Sequence, residues 1–460
     1  MQNVRFLAAA ALLAAIPAAC RSYEPRPLAL DETQRDFLVR TLDGAPAREF
    51  ADRLGAGAGA AKAFDPADGI SLAEAEAIAL VFNRELRERR LAAGVTRASA
   101  ENAGLWRDPT IGVDLSRIVG GASAGVEAIG SLALTIPLSG RLELERAQAD
   151  AAHAVALARI AEEEWTTVSR LRRAWIQRAS LAAEADASRR FLERSAQVLT
   201  IVDRMEQAGE LARIEARVLR IEETRMRVQL RAIETELSRA THQVESILGL
   251  PPRADRPLAG DFGEFAGVGR EAPQSLLGRV ARTAPAVAVA RAEYEVAERA
   301  LAGEIRAQWP DLEVAPGFGD QDGDTQAVLG LGVVLPVFNG NRRGIAEADA
   351  ARELARGRVE HELERVLGDL LAAEERLASA IAQREFVDAT LLPLVETQHR
   401  EAREVARLGE VNTLILLESL TLELDASRQL IAARRDEALA AVDIDELVGP
   451  PDARNEGVQP

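Results

Sequence analysis

The sequence predicts a mainly α-helical protein with a small transmembrane β part, built as a tandem-duplicated helix–strand–strand–helix repeat. Three observations predict it. Residues 141 to 208 run for 68 positions without Gly or Pro, far longer than a globular helix. Short segments of alternating polarity precede the long arms in pairs. The same punctuation also recurs half a chain apart: Pro137 and Pro336 stand 199 positions apart, as do Asp150 and Asp349, while Gly209 and Gly409 stand 200 apart. Matching offsets at Pro, Asp and Gly indicate an internal duplication.

The chain begins with a targeting signal. Arg5 gives the positive start, residues 6 to 19 the apolar core, and Ala18-Ala19 the small residues before Cys20. Fourteen apolar residues are too few to span a bilayer as a helix. Residues 1–19 therefore read as a signal peptide and 20–69 as a lipid-anchored extension and linker. Cys20 is the single cysteine, so an intramolecular disulfide is excluded. Its position is similar to the acylated first residue of a bacterial lipoprotein, with Pro17 a departure from the usual signal. One acyl set anchors modestly, so a second membrane element is expected.

Residues 70–250 form the first repeat. "TIGVDLS" puts Ile111, Val113 and Leu115 on one face and Thr110, Gly112, Asp114 and Ser116 on the other. "SLALTIP" repeats the alternation with Leu132, Leu134 and Ile136. Such period-two segments of about 8–10 residues are the signature of transmembrane strands, although a soluble hairpin shares the pattern. Residues 120 to 125 read as an exposed hairpin loop. The arm from 141 to 208 carries Val168, Leu171 and Trp175 at helical spacing, and after Gly209 a further 39 residues lack Gly and Pro.

Residues 251–273 separate the repeats, and 274–448 form the second one, before a tail at 449–460. "DLEVAPGF" and "VLGLGVVL" alternate, the latter with Leu329, Leu331, Val333 and Leu335 on one face. Residues 319 to 324 read as a loop between them. The arm from Arg342 to Leu408 contains Gly344, Gly357, Gly368 and Pro393, and Pro393 is expected to kink it. Gly409 is followed by another 39 residues free of Gly and Pro, with Leu417, Leu420 and Leu424 as a stripe.

Four strands cannot close into a barrel, and open edges are not tolerated in lipid. Several chains must pool them, and three would supply twelve.

Chemistry-bearing motifs are sparse. His153, His242, His361 and His399 are scattered without metal spacing, and Glu396-Thr397-Gln398-His399 is one Glu-x-x-His where a di-iron bundle needs two. It reads as surface helix. "DQDGD" has Thr325 and Leu331 where a calcium loop needs Gly and Glu. Gly55, Gly57 and Ala60 fit a dinucleotide fingerprint by letter, without a preceding strand. No nucleophile stands with a base, so no enzyme, no cofactor and no metal site is expected. The net charge of -17 excludes a nucleic-acid partner.

At this point the residues resemble the TolC-like outer-membrane efflux protein family. "DPTIGVDLS" resembles its Pro-led first strand and "LPVFNGNRRGIAEADAA" its strand-to-helix junction, closest to the CzcC-like heavy-metal-efflux branch. "ARLGEVNTLILLESLTLELDA" resembles its helical tip and return helix. The resemblance implies a homotrimer with a twelve-stranded outer-membrane barrel continued by a long α-helical barrel. It implies a passive duct working with a periplasmic adaptor and an inner-membrane RND transporter, and a location in the outer membrane in contact with lipid.

By the same resemblance Gly209, Glu210, Leu211, Arg407, Leu408, Gly409 and Glu410 are adaptor-contacting tips. Glu418 would form an acidic ring narrowing the tunnel; read from the residue alone, it is a solvated helix-surface carboxylate. The competing reading is a lipid-tethered periplasmic coiled-coil scaffold or adaptor with ordinary soluble hairpins.

Overall fold

The computed structural model describes residues 22–40, 69–117, 126–252, 258, 265, 273–321, 324–407 and 413–450. Cys20, Leu408, Gly409 and Glu410 lie outside them, as do Gly55, Gly57, Ala60 and the segment 120–125. Residues up to Thr41 form a unit of their own, in which α1 (Leu30–Leu38) is an exposed helix.

In the main unit one order of elements occurs twice. The first pass is α2 (Leu72–Phe82), α3 (Arg84–Glu101), β1 (Thr110–Arg117), β2 (Val126–Ile136), α4 (Arg141–Ala208) and α5 (Arg213–Ile247). The second is α6 (Pro273–Thr283), α7 (Pro285–Arg306), β3 (Leu312–Gln321), β4 (Asp324–Val333), α8 (Arg342–Phe386), α9 (Leu392–Arg407) and α10 (Thr413–Val448).

Local sequence explains the boundaries. Ser71 and Glu74 close a capping box at the start of α2. Gly140 and Gly209 bracket α4 with left-handed φ values of 71° and 75°. Between them, 68 helical residues extend for about 100 Å at 1.5 Å per residue. The glycines of α8 leave that helix unbroken to Phe386. A π-helical turn, Val387–Leu391, then separates α8 from α9, one turn ahead of Pro393. Proline lacks an N–H and crowds the carbonyl four residues back, so the chain widens by one residue there.

Two further expectations are corrected. β4 ends at Val333, so Leu335 stands beyond the strand. Gly319, Asp320 and Gln321 belong to β3, and Gln321 pairs with Asp324. The ladder therefore reaches Gln321 and Asp324, because residues 319 to 321 and 324 extend the strands rather than leaving them.

The core is a chain of helix seams. Around Trp175 and Leu171 of α4, the α2 residues Ile78 and Ala79 meet Val244 and Leu248 of α5 and Val442 of α10. Across α10, Leu370 and Ala373 of α8 pack with Val280 of α6, Val287 of α7 and Ile444. Asp443 of α10 accepts from Arg173 of α4 at 2.8 Å and from Arg376 of α8 at 3.0 Å, so α10 is held by both long arms.

Two close approaches fix the ends of the seams. At Gly249 a Cβ would lie 2.2 Å from the Phe82 carbonyl oxygen, and at Gly449 2.2 Å from that of Thr283. Both glycines hold positive φ, at 68° and 83°. Only glycine meets both conditions without strain.

Candidate functional site

The four strands form one antiparallel sheet in the order β1-β2-β3-β4. Alternation within each strand becomes a two-faced surface once the register is fixed. Ile111 pairs with Leu132, Leu134 with Val314, and Val314 with Leu331. Ile136 pairs with Leu312, and Leu312 with Val333. These side chains share one apolar face.

The other face carries Gly112, Ser131 and Gly317 in one row, and Asp114, Ile129, Gly319 and Gln326 in the next. It is small and polar in the main.

The apolar face is uncovered in the single chain. Leu115 is 73% exposed, Leu331 66% and Phe318 68%. Each such side chain is worth about 1.5–3 kcal/mol when it leaves water. A face of this kind needs lipid or protein against it. Ten residues, as in β3 and β4, extend for about 33 Å and project about 24 Å at the usual tilt of barrel strands. That matches the apolar band of about 25 Å in an outer-membrane barrel. Among the described residues, the outer edges of β1 and β4 have no neighbouring strand.

A feature that the sequence reading passed over lies where the strands meet the long helices. Trp106 precedes β1, Trp309 precedes β3 and Phe338 follows β4; they are 54%, 65% and 96% exposed. All three sit at the end of the sheet from which α4 and α8 depart. Exposed aromatic residues at one end of an apolar band form the girdle of a membrane interface. The scarcity of tryptophan, four in the chain, was the available signal.

At the far end of α4 the chain reverses through Gly209. The Glu210 and Leu211 amides donate to the Met205 carbonyl at 2.9 and 3.3 Å. Arg220 of α5 bonds Asp203 and Glu206 of α4 at 2.7 and 2.6 Å, closing the hairpin. Gly209 and Glu210 are exposed. Leu211 packs against Val202, Ala216 and Leu219, so this member of the expected contact set is partly engaged within the chain.

Leu417 of α10 joins the same cluster, which brings the start of α10 to the tip of the α4–α5 hairpin. Arg407 ends α9. Glu418 is exposed and lies on a stripe with Ile415, Leu422 and Asp425, at helical spacing along α10.

One reading is overturned here. His399 is 9% exposed rather than on a surface helix, because α9 packs along α10 and the ring is turned toward Ser419. Its Nδ1 lies 3.0 Å from Ser419 Oγ. Among the described residues, no group of three His, Cys, Asp or Glu side chains could hold a metal ion. No helix among them is long and apolar enough to cross a membrane.

Solved structures share this architecture. The chain is similar to the outer membrane protein VceC from Vibrio cholerae, with a TM-score of 0.66 and 16% identity over 82% of this chain and 96% of that one. It is similar to the Campylobacter jejuni outer membrane channel CmeC, with a TM-score of 0.65 and 14% identity over 87% and 93%. It also resembles the open state of the Neisseria gonorrhoeae outer membrane channel MtrE, with a TM-score of 0.61 and 15% identity over 85% and 94%. The chain has the fold of these outer-membrane channels. No family model and no curated protein matches it by sequence.

Proposed function

We propose that this protein is the outer-membrane duct of a tripartite efflux system. The observation that carries the proposal is the four-stranded sheet with one uncovered apolar face and two open edges, mounted on helices of about 100 Å. A sheet edge in lipid leaves backbone groups unpaired at several kcal/mol each. Three copies joining β1 of one to β4 of the next remove every edge and give twelve strands. The small, polar face then lines the lumen and the apolar face meets lipid. A tandem duplication accounts for the two passes of elements, with each pass supplying one hairpin and one pair of long helices.

The helices would continue the barrel as a tunnel through the periplasm. Gly209 and Glu210, with Arg407, Leu408, Gly409 and Glu410, would contact the adaptor, which in turn joins an inner-membrane RND transporter. Glu418 would ring the tunnel on the stripe it shares with Asp425. Cargo passes without chemistry, so neither enzyme activity nor a cofactor is required. The junction from Pro336 to Arg342 is the support for metal cations as cargo, and Cys20 for a lipid anchor at the outer membrane.

The uncovered apolar sheet weighs against a soluble scaffold, whose hairpins would have their apolar sides packed. Detergent extraction of outer membranes followed by mass measurement tests the proposal. A trimer in that fraction is expected, and a water-soluble monomer would overturn it.

A further inference from the structure

Among its described side chains, the polar face of the sheet carries charge of one sign. Asp114 of β1 stands in the row of Ile129, Gly319 and Gln326. Glu313 of β3 pairs with Thr135 on one side and Gly332 on the other. Asp324 of β4 stands two residues before Gln326, so the alternation puts it on the same face. All three carboxylates are exposed in the single chain.

The hairpins contain almost no compensating cation. From residue 108 to 140 and from 310 to 341 the only base is Arg117. It pairs with Val126 at the last rung of the ladder, out of step with Asp114. The arginines that follow the hairpins, Arg141, Arg342 and Arg343, open the long helices instead. Of these, Arg141 bonds Glu145 and Arg343 bonds Glu347.

The three carboxylates form tiers along the strands, not one cluster. On β3, Glu313 and the Gly319 that marks the row of Asp114 lie about 20 Å apart. The row of Asp324, marked by Gln321, lies about 7 Å further on.

Given the duct reading, we infer that these residues line the barrel as an acidic sleeve that admits cations in preference to anions. Twelve strands about 4.8 Å apart, tilted by about 40°, enclose a backbone radius of about 12 Å. Carboxylates projecting from that wall come within about 9 Å of the axis. The Debye length is about 10 Å at 0.1 M salt and about 3 Å at 1 M. The negative potential therefore fills the lumen at the lower salt and shrinks to the wall at the higher. A narrow passage lined by one sign of charge concentrates its counter-ions by about tenfold or more.

Reversal potentials of the purified full-length protein in planar bilayers test the sleeve, with potassium chloride as the probe. At 0.1 M the cation-over-anion permeability ratio should be on the order of ten. It should fall toward one at 1 M, where screening is complete within the lumen. Asp114→Asn, Glu313→Gln and Asp324→Asn combined should bring the ratio close to one at 0.1 M, with the oligomer intact on semi-native gels. A wild-type current without preference, or one favouring anions, would overturn the inference and leave the duct standing. A preference unchanged in the combined variant would overturn it too, and its loss in Glu418→Gln instead would place selection in the helical tunnel. A protein that conducts nothing would remove the duct, and the sleeve with it.

Discussion

Leu134 of β2 pairs with Val314 of β3, so strands from the two passes share one sheet. That seam makes the apolar face continuous, since Val314 goes on to pair with Leu331. Placing a charge at Leu331 should therefore cost about 2–4 kcal/mol per protomer in lipid. Leu331→Arg is expected to deplete the oligomer from outer membranes, as read by semi-native gel mobility. Asp114→Arg, on the opposite face, should leave the oligomer in place. Equal loss from both would mean that the faces are misassigned.

The two close-packed glycines give a stability test. Gly249→Ala combines a positive φ, costing about 1 kcal/mol, with overpacking against the Phe82 carbonyl worth about 1–3 kcal/mol. Gly449→Ala faces the same geometry at Thr283. Both should lower the thermal midpoint clearly, whereas Gly209→Ala should lower it less, by the positive-φ cost of about 1 kcal/mol alone, since nothing lies within 4 Å of its Cβ position. Scanning calorimetry of the three variants compares them directly.

At the tip, Gly209→Asp should separate assembly from function. The strain is about 1 kcal/mol, small against the packing of a trimer. An unpaired carboxylate pressed into an adaptor contact costs several kcal/mol. Normal trimers with lost efflux and lost adaptor crosslinking are expected, and Gly409→Asp should behave alike. Normal crosslinking in both variants would remove the tip from the docking surface.

Cys20→Ser should remove an acyl anchor without abolishing the fold, because the proposed barrel would still hold the protein in the membrane. Intact-mass measurement of the mature amino terminus checks this. An unmodified wild-type chain beginning elsewhere would refute lipidation.

A last expectation concerns cargo. Isothermal titration of the purified protein with divalent zinc or copper should show no tight stoichiometric uptake. The described residues bring no three metal-ligating side chains together, and a passive duct needs no such site. Micromolar or tighter binding would contradict it.

What the sequence determined by itself was the kind and order of elements. Long runs without Gly or Pro at helical spacing favour long helices, and period-two alternation gives each strand two faces; both are local consequences of backbone sterics and side-chain direction. The stripes at Val168, Leu171 and Trp175, and at Leu420 and Leu424, were legible for the same reason and are buried. Gly209 was legible as a reversal because few other residues take its φ.

What only the tertiary structure decided was partnership. Alternation says that Leu134 has an apolar side but not that Val314 lies beside it, 180 positions away. Helical spacing could not bury His399 either, because its surroundings come from three separate helices. Leu211 turned inward for the same reason, drawn to Val202 and Leu219 across the hairpin. Partners far apart in sequence are chosen by the sum of many weak contacts over the whole fold, and no local window contains that sum.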